Sequence, residues 1–243
     1  MIFFVQTDFA RHPSRVAGHM NFFPYALELI DSLAPEDRVA VFSFDSHLKF
    51  RLDFTTDRAA ARKAMESTIL IDDPPPPAPG PEPSLASRLD RRAMRKVRDS
   101  EGALFLLGRA LLTIPGSKSL LLLGWGLGQK TQSGVTMNWR WGDARPALQQ
   151  ARVSVFSIDT TYANYHDLEA GLKTAAEQTG GMYVKTYEFP ENAMELVRRS
   201  LSGRYELTLV SPVALRSGAN SLDVRTSRGG ATVLAPTSVI IRE

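Results

Sequence analysis

The chain has 243 residues, of which 43% are hydrophobic and 23% charged, a composition typical of a folded globular protein of one domain with or without a small appendage. No stretch reaches the roughly 18 consecutive apolar residues of a membrane-spanning helix, and no basic region followed by an apolar region marks an intact signal peptide. The absence of cysteine excludes disulfides, zinc–thiolate sites, iron–sulfur clusters and cysteine nucleophiles. The net charge of +3 is too small to indicate a polyanionic partner.

The first third of the chain predicts a strand, a helix, two strands and a helix, at residues 2–5, 14–33, 38–44, 47–54 and 57–67. The first strand is a short run of apolar residues, as expected for a strand buried on both faces. The first helix has apolar residues at helical spacing, and Pro24 is expected to kink or divide it. Thr56 or Asp57 can cap the second helix.

Residues 72–98 are predicted to form an insertion on the surface of the domain. Residues 72–83 contain seven of the fifteen prolines, which favour an extended polyproline conformation over helix or sheet. This segment is either a stiff spacer or a proline-rich ligand for an aromatic-lined groove.

Residues 85–98 of the insertion are predicted to form a basic helix, because apolar residues recur at every fourth position. Its basic residues are Arg88, Arg91, Arg92, Arg95, Lys96 and Arg98, against one acidic residue, Asp90. Such a cluster can contact phosphates, but the segment has no aromatic residue on which a base could stack. We therefore expect a solvated face, or a docking surface for an acidic protein or anionic lipid, and no nucleic-acid partner.

The remainder of the chain alternates helices and strands and then changes character. Helices are predicted at 101–114, 143–152, 167–178 and 190–201, and strands at 119–123, 153–158 and 182–184. This alternation is typical of a parallel α/β sheet. The pattern after residue 201 contains strands only, at 204–210, 221–226 and 231–234, which predicts a β extension packed on the main sheet.

Eight segments resemble, in their order and spacing, the von Willebrand factor A (VWA) domain, and in particular bacterial VWFA-related proteins whose A domain continues into a β extension. The segments are IFFVQTD, PEDRVAVFSFD, LDFTTDRAA, GALFLLGRALL, SLLLLGWG, VSVFSID, TAAEQTGG and RRSLSGRYELTLVSP. The resemblance implies a Rossmann-like α/β fold: a doubly wound, mostly parallel sheet with helices on both faces and a functional rim at the carboxyl ends of the strands. It divides the chain into a VWA-like domain, residues 1–202, and a C-terminal β extension, residues 203–243.

The resemblance also suggests an exported or cell-envelope protein, whereas the chain shows no leader. Because the chain starts within a core strand, we expect that an upstream segment is missing from the sequence. The location of the protein in the cell is therefore left open.

The resemblance further implies a metal-ion-dependent adhesion site, made of Asp-x-Ser-x-Ser after the first strand, a Thr on a second loop and an Asp after the central strand. In this chain the first motif falls on Gln6, Asp8 and Ala10, the Thr position falls near Gly102, and the last Asp position falls on Trp125. Only Asp8 keeps a charged ligand. One carboxylate and one amide make a poor Mg²⁺ site, because they do not offset the dehydration of the ion. We therefore predict a degenerate site that holds no metal, and no other cofactor.

The glycine-rich stretch from Gly124 to Gly128 follows an apolar strand, as a dinucleotide-binding loop does. A Gly-x-Gly-x-x-Gly motif would require glycine at position 129, which is Gln129, and a helix immediately after it. The four histidines have no recognisable catalytic spacing, and the sequence contains neither a Gly-x-Ser-x-Gly elbow nor a His-Glu-x-x-His motif. We therefore predict no catalytic residues and no enzymatic activity.

Three tryptophans, Trp125, Trp139 and Trp141, lie in or next to the loop between Gly124 and Gly142. Two interpretations stay open: the rings fill the vacated metal site, or they form a hot spot for a protein partner, since Trp and Arg dominate interface energetics. The second requires at least one exposed ring. The candidate partner contacts are Trp139, Arg140, Trp141, Arg91 and Arg95.

These observations favour a non-catalytic protein-interaction module, of an adhesion or scaffold kind, that binds an unidentified protein partner at its rim without a metal ion. The alternative is an enzyme or a small-ligand or nucleotide-binding domain that uses the Gly124–Gly128 loop and Asp8. A nucleic-acid binder that uses the basic segment is the third class of function.

Overall fold

A computed structural model describes residues 1–8, 13–70, 72–201, 205, 207 and 217–241 of the chain. The strands are β1 (Ile2–Gln6), β2 (Val39–Phe44), β3 (Leu48–Thr55), β4 (Lys118–Gly124), β5 (Gln129–Thr131), β6 (Gly134–Thr136), β7 (Val153–Asp159), β8 (Tyr183–Lys185), β9 (Gly218–Ser221) and β10 (Ser238–Ile241). The α-helices are α1 (Pro13–Ser32), α2 (Arg58–Glu66), α3 (Arg91–Lys96), α4 (Ser100–Leu111), α5 (Trp141–Gln150), α6 (Glu169–Thr179) and α7 (Pro190–Leu201).

Six strands form the central sheet in the order β3-β2-β1-β4-β7-β8. Neighbouring strands are parallel except β2 and β3, which are antiparallel. Every residue of β1 is buried, because strands lie on both sides of it and helices cover both faces. This confirms the predicted mostly parallel α/β sheet. The order reverses between β1 and β4, and ligand sites of such sheets lie at the carboxyl ends of the strands at this point.

Helices pack on both faces of the sheet, as the doubly wound architecture requires. Phe4 and Leu122 point to one face, where residues of α4, α5 and α6 complete the core. Phe3 and Leu121 point to the other, where residues of α1, α2 and α7 complete it. Pro24 lies inside α1 and does not divide the helix. Within the described ranges, no helix combines the length and apolar character needed to cross a membrane.

The insertion contains a much shorter helix than predicted. Helix α3 has six residues and begins after Asp90, whose side chain accepts a hydrogen bond from the Ala93 N–H. The N–H groups of Leu85 and Ala86 instead donate to the carboxylate of Asp53 on β3, at 2.8 and 3.2 Å. These hydrogen bonds tie the start of the predicted helix to the sheet edge, so the helix begins later in the chain. The preceding proline-rich residues contain neither helix nor strand, as predicted.

The C-terminal β extension, residues 203–243, which we call the tail, has its described strands at other positions than predicted. The first predicted strand, 204–210, lies largely outside the described residues, and the segments 221–226 and 231–234 are not strands apart from Ser221. Strands β9 and β10 form an antiparallel pair instead. The tail contacts the domain through Gln149, whose Nε2 donates to the Ser238 carbonyl at 3.1 Å, and through Pro236, which packs against Gly180.

Several apolar residues of the tail are exposed. The side chain of Tyr205 is 92% exposed, and Leu207 and Val233 are also exposed. Alternation of apolar and polar residues predicted a half-buried strand here, but the pairing partner of β9 is the later segment β10. Among the described residues of the tail, the contacts with the domain are therefore few.

Truncation of the chain after Gly203 tests these contacts. We expect a decrease in melting temperature of roughly 2–8 °C, which corresponds to about 1–2 kcal/mol of lost packing and hydrogen bonding in a domain of this size. Differential scanning calorimetry measures the change, and the variant Pro236→Ala tests the contact with Gly180 separately. An unchanged melting temperature would show that the tail contributes nothing to the stability of the domain.

Candidate functional site

The carboxyl ends of β1, β4 and β7 meet at one edge of the sheet. Gln6, Gly124 and Asp159 are the last residues of these strands, and Gly124 is directly paired with Asp159 in the parallel register. We call this edge the rim, and it includes the loops that follow these three strands and the parallel strand β8, the loop between β6 and α5, and the first turn of α4.

The side-chain amide of Gln6 lies at the centre of the rim and is 3% exposed. Its Nε2 donates to the Ser100 hydroxyl and to the Gly126 carbonyl, both at 2.8 Å. Its Oε1 accepts from the N–H groups of Trp125 and Gly126, at 2.9 and 3.2 Å. An amide has two donors and two acceptor lone pairs, so Gln6 uses its whole hydrogen-bonding capacity to join β1, α4 and the loop after β4.

The predicted second-loop position, Gly102, lies in the first turn of α4. Gly102 donates its N–H to the Asp99 carboxylate at 2.7 Å, as part of the N-cap of α4. The side-chain oxygen that lies beside Gln6 belongs to Ser100. Ser100 was not predicted, because its contact with Gln6 depends on where α4 begins, and the cap at Asp99 sets that start.

Two glycines, Gly124 at the end of β4 and Gly126 in the loop after it, are required by close packing. A Cβ at Gly124 would overlap the Gln6 Oε1, and one at Gly126 would overlap the Leu168 side chain. The N–H of Gly128 donates to the Glu101 carboxylate at 2.6 Å. The N–H groups of Trp125, Gly126 and Gly128 are therefore used within the protein, whereas a nucleotide-binding loop directs its N–H groups at a phosphate.

Glu101 connects this loop to the tryptophan-containing loop that follows. Its buried carboxylate accepts hydrogen bonds from the N–H groups of Gly128 and Asn138. Burial raises the pKa of the Glu101 carboxyl, and these N–H groups oppose the shift because they stabilise the charged form. Both loops are therefore fixed from the first turn of α4.

The structure describes two of the remaining predicted metal-site positions, Asp8 and Trp125. Ala10 lies outside the described residues. Asp8 is half-buried, and its backbone carbonyl lies 3.4 Å from Nη1 of Arg15, near the start of α1. The Arg15 guanidinium carbon lies 3.3 Å from the ring centre of Trp125. The structure thus brings Gln6, Asp8 and Trp125 to one place, together with Arg15, which the sequence did not single out.

The three tryptophans have three different environments. Trp139 is 70% exposed, which confirms that at least one ring faces solvent. Trp125 is half-buried under Arg15. Trp141 is 5% exposed, and its indole N–H donates to Gln178 at 2.8 Å, so this predicted partner contact is a core residue. It is the first residue of α5, which packs between α4 and α6.

Arg140 contacts both the exposed ring of Trp139 and the carboxylate of Asp99, the N-cap residue of α4. Its guanidinium carbon lies 4.6 Å from the ring centre of Trp139, and its Nε lies 3.3 Å from the Asp99 carboxylate. Arg91 and Arg95 lie on the exposed surface of α3, which contacts β3, with β2 between that strand and β1. Arg95 bonds to Asp73.

A second polar cluster lies at the end of β7 and was missed by the sequence interpretation. The fully buried Asp159 accepts hydrogen bonds from His166 Nε2 at 2.8 Å and from the Tyr183 hydroxyl at 2.9 Å. Glu169 lies close by and pairs with Lys173 at 2.7 Å and Lys185 at 2.6 Å. The only sequence signal was an acidic residue at the end of a buried strand, followed by a histidine in the next loop.

The ligand atoms of Asp159, His166 and Glu169 lie within 4.8 Å of one another, a spacing that suits a metal ion. Each carboxylate oxygen of Glu169, however, already accepts a hydrogen bond from a lysine ammonium group. A metal ion would have to displace both lysines. The hydrogen bonds of Asp159 position the loop between β7 and α6. The acidic groups of the cluster are therefore paired with His166, Lys173 and Lys185 of the same chain.

The sequence matches no protein-family profile and no curated protein. Among solved structures, the chain resembles an aerotolerance-related membrane protein from Bacteroides fragilis, with 13% identity, 82% of this chain and 96% of that chain covered, and a TM-score of 0.50. It resembles the conserved hypothetical protein BatB from Bacteroides thetaiotaomicron at 15% identity, covering 83% and 96%, with a TM-score of 0.50. It also resembles proximal thread matrix protein 1 from the mussel byssus at 13% identity, covering 81% and 45%, with a TM-score of 0.50.

At these identities the similarity establishes the fold. The chain has a mostly parallel, doubly wound α/β domain, and this domain has the VWA-type fold that the sequence resemblance implied.

The variant Gln6→Leu tests the central role of the amide. It leaves the N–H groups of Trp125 and Gly126 and the Ser100 hydroxyl without their partner, which we expect to lower the free energy of unfolding by roughly 3 kcal/mol. Chemical denaturation measures this loss. Gln129→Leu, at an exposed position on β5, is the matched control and should leave the stability unchanged. Equal stability of the two variants would contradict the structural role of Gln6.

Proposed function

We propose that this chain is a non-catalytic protein-interaction module of the VWA type, which has lost its metal site and binds a protein partner through the rim. The observation that carries the proposal is the position of Gln6, whose amide uses both ends for internal hydrogen bonds at the place of the first metal ligand. The VWA-type fold supports an adhesion or interaction role.

The residues present do not fit a divalent cation. To coordinate one, Gln6 Oε1 would have to leave the N–H groups of Trp125 and Gly126, whose donors would then remain buried. An indole replaces the last carboxylate, and Asp8 is the one carboxylate left among the described positions of the motif. The guanidinium of Arg15 lies over the same loops and repels a second cation.

The exposed side chains of the rim suit a protein partner. Trp139 is held beside Arg140, and further aromatic rings, those of Tyr162, Tyr165 and Phe189, are exposed on the loops after β7 and β8. Aromatic residues and arginine are enriched at protein interfaces, where they bury a large area with few rotatable bonds. The binding face therefore extends from the tryptophan loop to the loop before α7.

The pairing of the other polar groups supports binding rather than catalysis or nucleic-acid recognition. The N–H groups of the glycine loop are used by Gln6 and Glu101, and Asp159 is bonded on both oxygens. In the basic segment, Arg95 and Arg88 pair with acidic residues of the same chain. These pairs reduce the positive charge that a phosphate backbone would meet.

An envelope location is part of the proposal. It is supported by the description of the Bacteroides fragilis neighbour as a membrane protein.

Addition of Mg²⁺, Mn²⁺ or EDTA is expected to leave the melting temperature unchanged, because the residues of the rim do not fit a divalent cation. A metal ion that bound only the folded state would raise the melting temperature. Differential scanning fluorimetry at millimolar metal measures this. A shift that disappears in Asp8→Ala would contradict the loss of the metal site. A shift that disappears only in Glu169→Gln would instead place the ion in the cluster at the end of β7.

Photo-crosslinking tests the binding function directly. Benzoylphenylalanine is introduced in place of Trp139 on the rim or, as a matched control, in place of the exposed Ser117 just before β4, at the opposite edge of the sheet. In an extract of the source organism containing EDTA, we expect a discrete protein adduct from position 139 and none from position 117. Absence of an adduct at 139, or equal adducts at both positions, would contradict the proposal.

A further inference from the structure

The positively charged guanidinium of Arg15 lies between the loops that follow β1 and β4. Arg15, near the start of α1, places its guanidinium carbon 3.3 Å from the ring centre of Trp125 and its Nη1 3.4 Å from the Asp8 carbonyl. The contact with the indole face fixes the plane of the guanidinium. Among the residues that the structure describes, Arg15 forms no ion pair and makes only this one long hydrogen bond.

The same molecule contains a second arginine–tryptophan pair that has an anionic partner. Arg140 lies 4.6 Å from the ring centre of Trp139, and the Asp99 carboxylate lies 3.3 Å from its Nε. Both pairs lie at the rim, one after β4 and the other just before α5. The comparison shows what the Arg15–Trp125 pair lacks, which is a carboxylate within ion-pair distance.

The chemistry of the guanidinium defines the missing group. A guanidinium has five N–H donors in a plane, and its geometry matches two oxygens of a planar anion. Burial lowers the pKa of Arg15 and the nearby Asp8 opposes this shift, so the group is a partly desolvated cation with incomplete compensation. Incomplete compensation favours pairing with one further negative charge. A doubly charged phosphate fits less well, because Asp8 would repel it.

We propose that Arg15, held on the face of Trp125, binds a carboxylate side chain of the protein partner. This inference rests on the proposed function, since it names the group that the rim recognises. Arg15 supplies the charge and the paired donors, and Trp125 holds them in position.

A peptide titration of the full chain tests the inference. The probe is acetyl-Gly-Glu-Gly-amide, its matched control is the Gln peptide, and the phosphoserine peptide represents the other oxyanion. NMR shifts of the Arg15 side-chain N–H and the Trp125 indole N–H report binding. We expect saturable shifts with the Glu peptide and an affinity at least about tenfold lower for the Gln peptide, as loss of a charge-assisted hydrogen-bonded pair implies.

Two variants identify the residue responsible. Arg15→Gln should abolish the shifts of Trp125, and Arg15→Lys should weaken binding because an ammonium cannot form the paired hydrogen bonds. The matched control is Arg62→Gln on α2, whose partner Asp31 lies in the same chain, and it should bind the Glu peptide like the unaltered protein. Melting curves confirm that each variant is folded.

Equal affinity for the Glu and Gln peptides, or unchanged binding in Arg15→Gln, would overturn the inference. Tighter binding of the phosphoserine peptide would also overturn it, since the anion would then be a phosphate. The proposed function fails separately, when the unaltered protein gives no adduct at position 139. A persistent adduct at 139 with no response to any peptide would remove the role of Arg15 and leave the function intact.

Discussion

The structure of the rim depends on one side-chain amide, that of Gln6. It is the last residue of the central strand β1, and it bonds to groups 94 and 120 positions later in the sequence. A carboxylate there could accept the two N–H groups of the loop after β4 but could not donate to the Gly126 carbonyl, which would leave two oxygens facing each other. An amide alone satisfies both kinds of group. The loop conformation and the choice of glutamine therefore determine each other.

The first turn of α4 provides the second constraint. Ser100 receives a hydrogen bond from Gln6, Glu101 fixes the loops on either side of the hairpin β5–β6, and Asp99 both caps the helix and pairs with Arg140. Three successive residues thus hold three different parts of the rim. Each uses its side chain on a backbone or side-chain group that would otherwise be unpaired, so internal hydrogen bonds and ion pairs hold the conformation of the rim.

The sequence predicts this architecture well where the signal is local. Strands β1, β4 and β7 are apolar runs because they are buried on both faces, and the cap at Asp57 marks the start of α2. Prediction from the sequence fails where a residue far away in the chain determines the local structure. The basic segment was predicted to be one long helix. The carboxylate of Asp53, 32 residues earlier, instead accepts a hydrogen bond from the N–H of Leu85, and the helix begins later. Asp159 was missed for the same reason, since its partners lie on later elements.

The loss of a metal ion, as proposed, changes what a binding rim must contain. A metal ion contributes strong, directional bonds to a single anionic group, whereas an arginine–carboxylate pair at a partly exposed surface contributes less and is screened by salt. Affinity must then come from apolar area, and the rim provides this in Trp139, Tyr165 and Phe189, which are exposed around the polar centre. The charged pair would select the partner and the aromatic rings would hold it. The clustering of both on the loops of one sheet edge is the arrangement that such a division of roles requires.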